Sequence, residues 1–149
     1  MSPPASLLRL MEYRALSRSF RLGPEDAMAV EFANDLRKAT LEGRLRAVWT
    51  HVGNELCGQV QITRSGPRAT PAAAKAKALG LIRGASDYLF LWSEGCCALE
   101  AKSRTGCLND WQRDFRDWCA ANGVPFDVFR MVEEGLSILQ RHGILEPAT

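Results

Sequence analysis

The sequence predicts an α/β domain with a small mixed β-sheet flanked by helices, in the order α-β-α-β-β-α-β-α. Two short apolar runs, residues 87–92 and 96–101, flank a Ser-Glu-Gly turn, which indicates a β-hairpin. Segments with apolar residues at helical spacing precede and follow this hairpin. The 149 residues are 46% hydrophobic and 24% charged, which is typical of one globular domain. A net charge of +2 is too small to indicate a nucleic-acid partner by itself.

The chain divides into three parts. Residues 1–22 are basic and predict a helix or arm that packs on the domain, on a partner subunit or on nucleic-acid phosphates. Residues 23–145 form the domain, and residues 146–149 form a tail. No apolar run reaches the length of a membrane span, so we expect no membrane partner.

The first long helix begins at Pro24 and runs to about Leu41, because a proline followed by two acids favours a helix start. Its apolar residues recur at steps of three and four, at Met28, Phe32, Leu36 and Ala39. Glu25 projects near the middle of this stripe, whereas Glu31 falls to one side. A carboxylate at that place either complements the helix dipole or completes a site on the buried side.

Residues 46–53 predict the first strand, which contains His51. A lone histidine in a strand is usually a hydrogen-bonded structural residue. Residues 54–69 form either a short hairpin or a substrate loop. Thr70 then caps a helix that Gly80 ends.

The predicted hairpin concentrates charged residues at one end. Asp87 starts its first strand, while Glu100 and Lys102 end the second strand on one face, roughly 6–7 Å apart. We expect that face to be the less buried one, since Leu99 and Ala101 on the other face are apolar. Two carboxylates suit a hard cation such as Mg²⁺, and a nearby amine suits a water or a phosphodiester. The alternative is an exposed ion pair of little energetic consequence.

Asn109 is predicted to cap the next helix, with Gln112 at the capping-box position three residues later. Gln112 either caps the helix or reaches the side of Lys102. The apolar residues of this helix define its expected buried side, namely Leu108, Trp111, Phe115, Trp118 and Cys119. Residues 125–131 predict the last strand and residues 132–141 the last helix.

Six pieces of sequence, in this order, resemble the PD-(D/E)XK nucleases and, within them, the VRR-NUC type. They are HVGNE at residues 51–55, an Ala/Lys-rich helix ending at Gly80, GASD at residues 84–87, EAK at residues 100–102, Gly106 followed by Gln112, and a strand at residues 126–131 followed by Glu133 and Glu134. The resemblance spans about residues 25–136. Ser86 and Gly53 stand where the family has prolines, and neither position supplies ligand atoms.

The resemblance implies a restriction-endonuclease-like core and a nuclease that hydrolyses phosphodiester bonds with Mg²⁺ or Mn²⁺. The implied catalytic residues are Asp87, Glu100, Lys102, Gln112 and Glu25, and the implied metal ligands are Asp87, Glu100, Glu25 and the carbonyl of Ala101. Lys102 would position the nucleophile, and Gln112 would support the site. Glu31 is the alternative to Glu25 as the acid from the first long helix.

Small stand-alone members of that family act as homodimers on branched DNA such as four-way (Holliday) junctions, and the resemblance implies the same for this chain. One alternative is a repair nuclease directed at flaps or ends. Another is a non-catalytic nucleic-acid-binding subunit that keeps the fold. The sequence leaves the choice between DNA and RNA open.

Basic and polar residues near the predicted site are expected to contact nucleic acid, namely His51, Asn54, Arg64, Arg68, Lys75, Lys77, Arg83 and Arg104. For the lysines, the alternative is a solvated helix face. Five cysteines without a C-x-x-C pair predict free thiols rather than disulfides or zinc ligands. This pattern fits a reducing compartment such as the cytoplasm. The resemblance implies a nucleic-acid-containing setting, phage or bacterial.

Overall fold

The computed structural model describes residues 2–11 and 21–149. The α-helices of the described residues are α1 (Ala5–Met11), α2 (Pro24–Leu41), α3 (Pro71–Ala78), α4 (Asp110–Ala121) and α5 (Val132–Arg141). Their strands are β1 (Val48–His51), β2 (Val60–Thr63), β3 (Gly66–Ala69), β4 (Tyr88–Trp92), β5 (Gly95–Ala101) and β6 (Phe126–Phe129). A short 3-10 helix covers Asn54–Leu56.

The main sheet is mixed and has the strand order β1-β4-β5-β6. Strand β4 pairs antiparallel with both β1 and β5, whereas β6 runs parallel to β5. Strands β2 and β3 form a separate antiparallel hairpin, which decides between the two readings of residues 54–69. The structure therefore confirms an α/β fold with a small mixed sheet flanked by helices, and it adds one hairpin and helix α1 to the predicted order.

Helices α2 and α5 cover one face of the main sheet and form the core with it. The largest fully buried apolar side chains are Phe32, Phe90, Phe129, Leu36, Leu99 and Leu139. Gly135 lets α5 approach the core closely, because a Cβ at this position would lie 2.7 Å from the ring of Phe32 and 2.9 Å from that of Phe129. Because Gly135 has no side chain, two aromatic rings can pack directly against the main chain of α5.

The opposite face of β5 is also buried, and the expectation that it would be the less buried face is wrong. Ala98 and Glu100 are each 1% exposed, and Lys102 is 7% exposed. The reason is that side chains from two helices close over this face. Gln112 of α4 reaches Glu100, and Glu25 of α2 reaches Lys102.

Helix α4 is buried on a narrower stripe than its sequence predicts. Cys119 is buried, but Trp111 is 50% exposed and Trp118 is 55% exposed, so their assignment to the buried side is wrong. The sheet ends at β6, where the ring of Phe115 lies 6.5 Å from that of Phe126. An edge strand supports only part of the apolar stripe of a helix, and the two indoles lie beyond it.

The ends of the chain are held to different degrees. Helix α1 lies within the predicted basic arm and has no buried residue, while residues 12–20 of that arm lie outside the described part. Glu146, assigned to the tail, is anchored: its N–H donates to the carbonyl of Arg44 at 2.9 Å, and its carboxylate pairs with Arg46. Within residues 2–11 and 21–149, no helix has the length and hydrophobicity needed to span a membrane.

Candidate active site

The register of the β4–β5 hairpin sets Asp87 opposite Glu100. Tyr88 pairs with Leu99, so one further step of the antiparallel ladder brings these two residues together on one face. The N–H of Asp87 donates to Oε2 of Glu100 at 3.2 Å, and the N–H of Ala101 donates to Oδ2 of Asp87 at 2.9 Å. Each carboxylate is thus fixed by a main-chain amide of the opposite strand.

Gln112 fulfils both of the roles that its sequence position allows. Its Oε1 accepts from the N–H of Asn109 at 3.0 Å, and Oδ1 of Asn109 accepts from the N–H of Gln112 at 3.0 Å, which is a complete capping box. Its Nε2 donates to Oε1 of Glu100. A carboxamide can do both because it carries an acceptor oxygen and a donor nitrogen.

Lys102 links the hairpin to the first long helix. Its Nζ lies 3.1 Å from Oε1 of Glu100 and 3.8 Å from Oε1 of Glu25. The other carboxylate oxygen of Glu25 accepts from the N–H of Ser103 at 3.1 Å. Glu31 is exposed and makes no such contact within residues 2–11 and 21–149. Between the two candidates, the carboxylate of α2 that reaches the cluster is that of Glu25.

The structure thus brings together all five predicted catalytic side chains. Their surroundings raise the pKa values of two of the carboxylates. Burial raises the pKa of Asp87, and the charge of Glu25 adds to that rise. Burial, followed by the charge of Asp87, raises the pKa of Glu100 to about 7, although Lys102 opposes this rise. Three carboxylates against one ammonium give a formal charge of −2 when all are ionised.

The donor set fits a hard divalent cation at Asp87 and Glu100. A carboxylate has about four lone-pair sites, and Oδ1 of Asp87 accepts no hydrogen bond in the described residues. Buried oxygens with surplus negative charge are the ligands that Mg²⁺ takes, and this ion commonly keeps one or two carboxylates and several waters. Within the described part of the chain, however, no three acidic, histidine or cysteine side chains converge as a metal cluster. Asp87 and Glu100 are the two carboxylates that the structure sets side by side, and the carboxylate of Glu25 and the carbonyl of Ala101 stay predicted ligands.

A cavity of about 460 Å³ opens beside Asp87, between α2 and the end of β1. His51 lines it, exposed, with Nε2 3.2 Å from Oε2 of Glu55. Asn54 lines it too, and its Nδ2 donates to the carbonyl of Ala85. Oδ1 of Asn54 is buried and has no hydrogen-bond partner in the described residues. The cavity beside Asp87 is therefore lined in part by polar side chains, although this oxygen of Asn54 is not open to a ligand.

The remaining predicted nucleic-acid contacts lie at the surface. They are all exposed, namely Arg64, Arg68, Lys75, Lys77, Arg83 and Arg104. Lys77 and Arg83 line one groove between α3 and α4, and the guanidinium of Arg83 lies 4.9 Å from the centre of the Trp111 ring. These two cations share a surface, and their roles toward nucleic acid stay predictions.

Two further residues support the cluster, and the sequence analysis assigned a role to neither of them. Nη1 of Arg130 donates to the carbonyls of Ser103 and Gly106, each at 2.6 Å, and so fixes the loop that follows Lys102. Gly84 packs directly against the start of α4, because a Cβ there would lie 2.8 Å from the N of Gln112. Only the G-x-x-D spacing before Asp87 singled out this glycine, and no local pattern singled out Arg130.

Comparison of the chain with protein-family models, with curated proteins and with solved structures finds no match.

Proposed function

We propose that this protein is a metal-dependent nuclease that hydrolyses phosphodiester bonds in DNA. The observation that supports it best is the pairing of half-buried Asp87 with buried Glu100, each held by a main-chain amide of the opposite segment. The amine of Lys102 lies 3.1 Å from Oε1 of Glu100. A structural ion pair needs only one carboxylate. A second one, buried beside the first, costs stability unless a cation balances it.

Asp87 and Glu100 would hold Mg²⁺ or Mn²⁺, with the Ala101 carbonyl as a further ligand. When bound, such an ion would supply Lewis acidity to the phosphodiester and to the attacking water. The ammonium of Lys102 positions that water or balances charge on the phosphate. Gln112 and Glu25 hold Glu100 and Lys102 in place, since each makes a direct contact with one of them.

The substrate that we propose is branched DNA such as a four-way junction, cut by a homodimer, because two sites related by a two-fold axis suit paired cuts in a symmetric junction. The exposed arginines and lysines around the domain supply charge for phosphate contacts. Five free thiols fit a reducing, cytoplasmic setting.

The test is cleavage of labelled four-way junction, flap and linear duplex DNA, with Mg²⁺, with Mn²⁺ and with chelator. Lys102→Met keeps the volume of the buried side chain but removes its charge, and Lys38→Met, an exposed lysine of α2, is the matched control. We expect metal-dependent symmetric cuts in the junction that Lys102→Met loses and Lys38→Met keeps.

Three other outcomes correct this proposal. Cleavage of flaps or linear ends alone would discard the junction and keep the active site. Junction binding without cleavage under any condition would favour a non-catalytic nucleic-acid-binding subunit. Cleavage that survives in Lys102→Met, with an unchanged melting temperature, would remove Lys102 from the mechanism.

A further inference from the structure

A groove of about 560 Å³ lies between α3 and α4. We call it the tryptophan groove and define it by the lining residues Ala73, Lys77, Ile82, Arg83, Trp111 and Trp118. We propose that it binds an unpaired nucleotide of a DNA strand, with the base against the indoles and the phosphate near the two cations. This rests on the proposed function only in that the ligand is nucleic acid.

Two half-exposed indoles give the groove an aromatic surface. Trp111 and Trp118 lie seven positions apart on α4, on one side of the helix, and each is about half exposed. The ring of Phe115 packs edge-on against that of Trp118, with 6.0 Å between centroids, and fixes its orientation. Flat, exposed and rigidly held rings are what bases stack on, and every base offers a π-face.

The charge of the groove complements a phosphate. Lys77 and Arg83 are exposed cations at its border, against one acid, Asp114. The guanidinium of Arg83 lies over the ring of Trp111 at 4.9 Å, so a planar cation and an indole are already aligned. Bases stack on such guanidinium planes as well as on aromatic rings, and a backbone phosphate next to the base would find a cation.

The groove borders the loop and the helix start that support the candidate active site. Trp111 precedes Gln112, whose Nε2 donates to Glu100. On the other side, Arg83 precedes Gly84, which packs against the main chain of Trp111 and Gln112 and lies three residues before Asp87. A strand whose phosphodiester lies at Asp87 and Glu100 therefore has an adjacent place for a neighbouring base.

The occupant is a single-stranded nucleotide rather than paired DNA, because a base within a duplex is stacked on its neighbours and hides its faces. A volume of about 560 Å³ falls in the range of small-ligand sites, which run from about 300 to 1,000 Å³. Branched DNA with a single-stranded segment, such as a flap, exposes unpaired bases, and a branch point that opens exposes unstacked ones. The groove would thus favour branched over continuous duplex substrates.

The test compares two short single-stranded oligonucleotides with the same number of phosphates. One is an oligothymidylate, called thymidylate below, and the other is an abasic analogue that lacks the bases. Their affinities are measured by fluorescence anisotropy on the full chain with chelator present, so no cleavage is needed. We expect the full chain to bind thymidylate roughly tenfold more tightly than the abasic strand, since stacking on aromatic side chains contributes most of the difference. Trp111→Ala with Trp118→Ala should remove this preference and keep abasic binding.

Two controls separate stacking from charge and from general apolar contact. Arg83→Ala should weaken both oligonucleotides, because both carry phosphates. Leu79→Ala, an apolar residue 79% exposed on the surface next to the groove, should leave both affinities unchanged. Trp118→Ala alone, at a half-exposed position, provides a second variant in which the core is untouched, and it should reduce the preference in part.

Equal binding of the two oligonucleotides by the full chain would overturn the proposal. A dimer in sedimentation that the tryptophan variants dissociate would also overturn it, and would make the groove a contact between two copies. The two proposals fail separately. A preference for thymidylate without cleavage of any DNA would support the proposed role of the groove and refute the nuclease proposal. Cleavage without a base preference would support the nuclease proposal and refute the role of the groove.

Discussion

Replacement of Gly84 by alanine tests whether α4 is positioned by the loop before Asp87. Gly84 has φ +82°, in the left-handed region, and a Cβ there would meet the carbonyl of Trp111 and lie 2.8 Å from the N of Gln112. The neighbouring atoms are main chain, so they cannot turn aside as a flexible side chain could. We expect α4 to shift and Gln112 to lose its contact with Glu100.

Gly84→Ala should lower the free energy of unfolding for two reasons, and their effects add. The left-handed conformation costs a residue with a Cβ about 1–2 kcal/mol, and overpacking against a fixed neighbour costs about 1–3 kcal/mol. Gly43 provides the matched control, because it has φ +72° and no atom within 4 Å of an added Cβ. Gly43→Ala should therefore lose only the first amount, about 1–2 kcal/mol.

Urea unfolding of the three proteins measures both costs. We expect Gly84→Ala to lower the free energy of unfolding by about 1–3 kcal/mol more than Gly43→Ala does. Equal losses in the two variants would refute the reasoning, since backbone strain alone would then account for both and α4 would not rest on Gly84.

Two further predictions concern stability. Because the pKa of Glu100 is raised in the folded protein from 4.5 to about 7, the folded state holds this proton more tightly, and the resulting stability is lost as the pH rises through 7. Between about pH 4.5 and pH 8 the free energy of unfolding should fall by about 3 kcal/mol. Urea unfolding with chelator should show this decline for the natural chain and a smaller one for Glu100→Gln. The same decline in both proteins would contradict the raised pKa of Glu100. Gly135→Ala should lower the free energy of unfolding by about 1–3 kcal/mol despite the better helix propensity of alanine, because the new Cβ enters the space of Phe32 and Phe129. Ser137→Ala on the exposed side of α5 is the control, and thermal unfolding that ranks the two variants equally would show that the rings can move aside.

The hairpin was predictable because its information is local. Alternation, a turn of small and polar residues and two apolar runs lie within residues 87–101, and an antiparallel register then fixes Asp87 opposite Glu100. The capping box of α4 was equally local, since Asn109 and Gln112 are three residues apart. Short-range patterns of this kind carry their own geometry.

Other features depend on how the layers meet. Glu25 and Ser103 are 78 positions apart, so only the resemblance, and not spacing, indicated that α2 reaches the end of β5. Periodicity identified the apolar side of α4 but not the edge of the sheet beneath it, and Trp111 and Trp118 were therefore assigned to the core wrongly. The sequence also does not show which side chains pack on the second face of the sheet, so the face of Glu100 was predicted to be less buried than it is.

Binding of Mn²⁺ tests the central claim most directly, because it needs neither the right DNA nor turnover. Electron paramagnetic resonance measures free Mn²⁺ in titrations of the natural chain, of Asp87→Asn and of Asp127→Asn, a half-buried carboxylate on β6 that serves as the control. We expect the natural chain and Asp127→Asn to bind Mn²⁺ alike, and Asp87→Asn to bind it at least about tenfold more weakly, since a ligand oxygen and its charge are lost. Absence of binding by the natural chain, or undiminished binding by Asp87→Asn, would contradict a metal centre at Asp87 and Glu100.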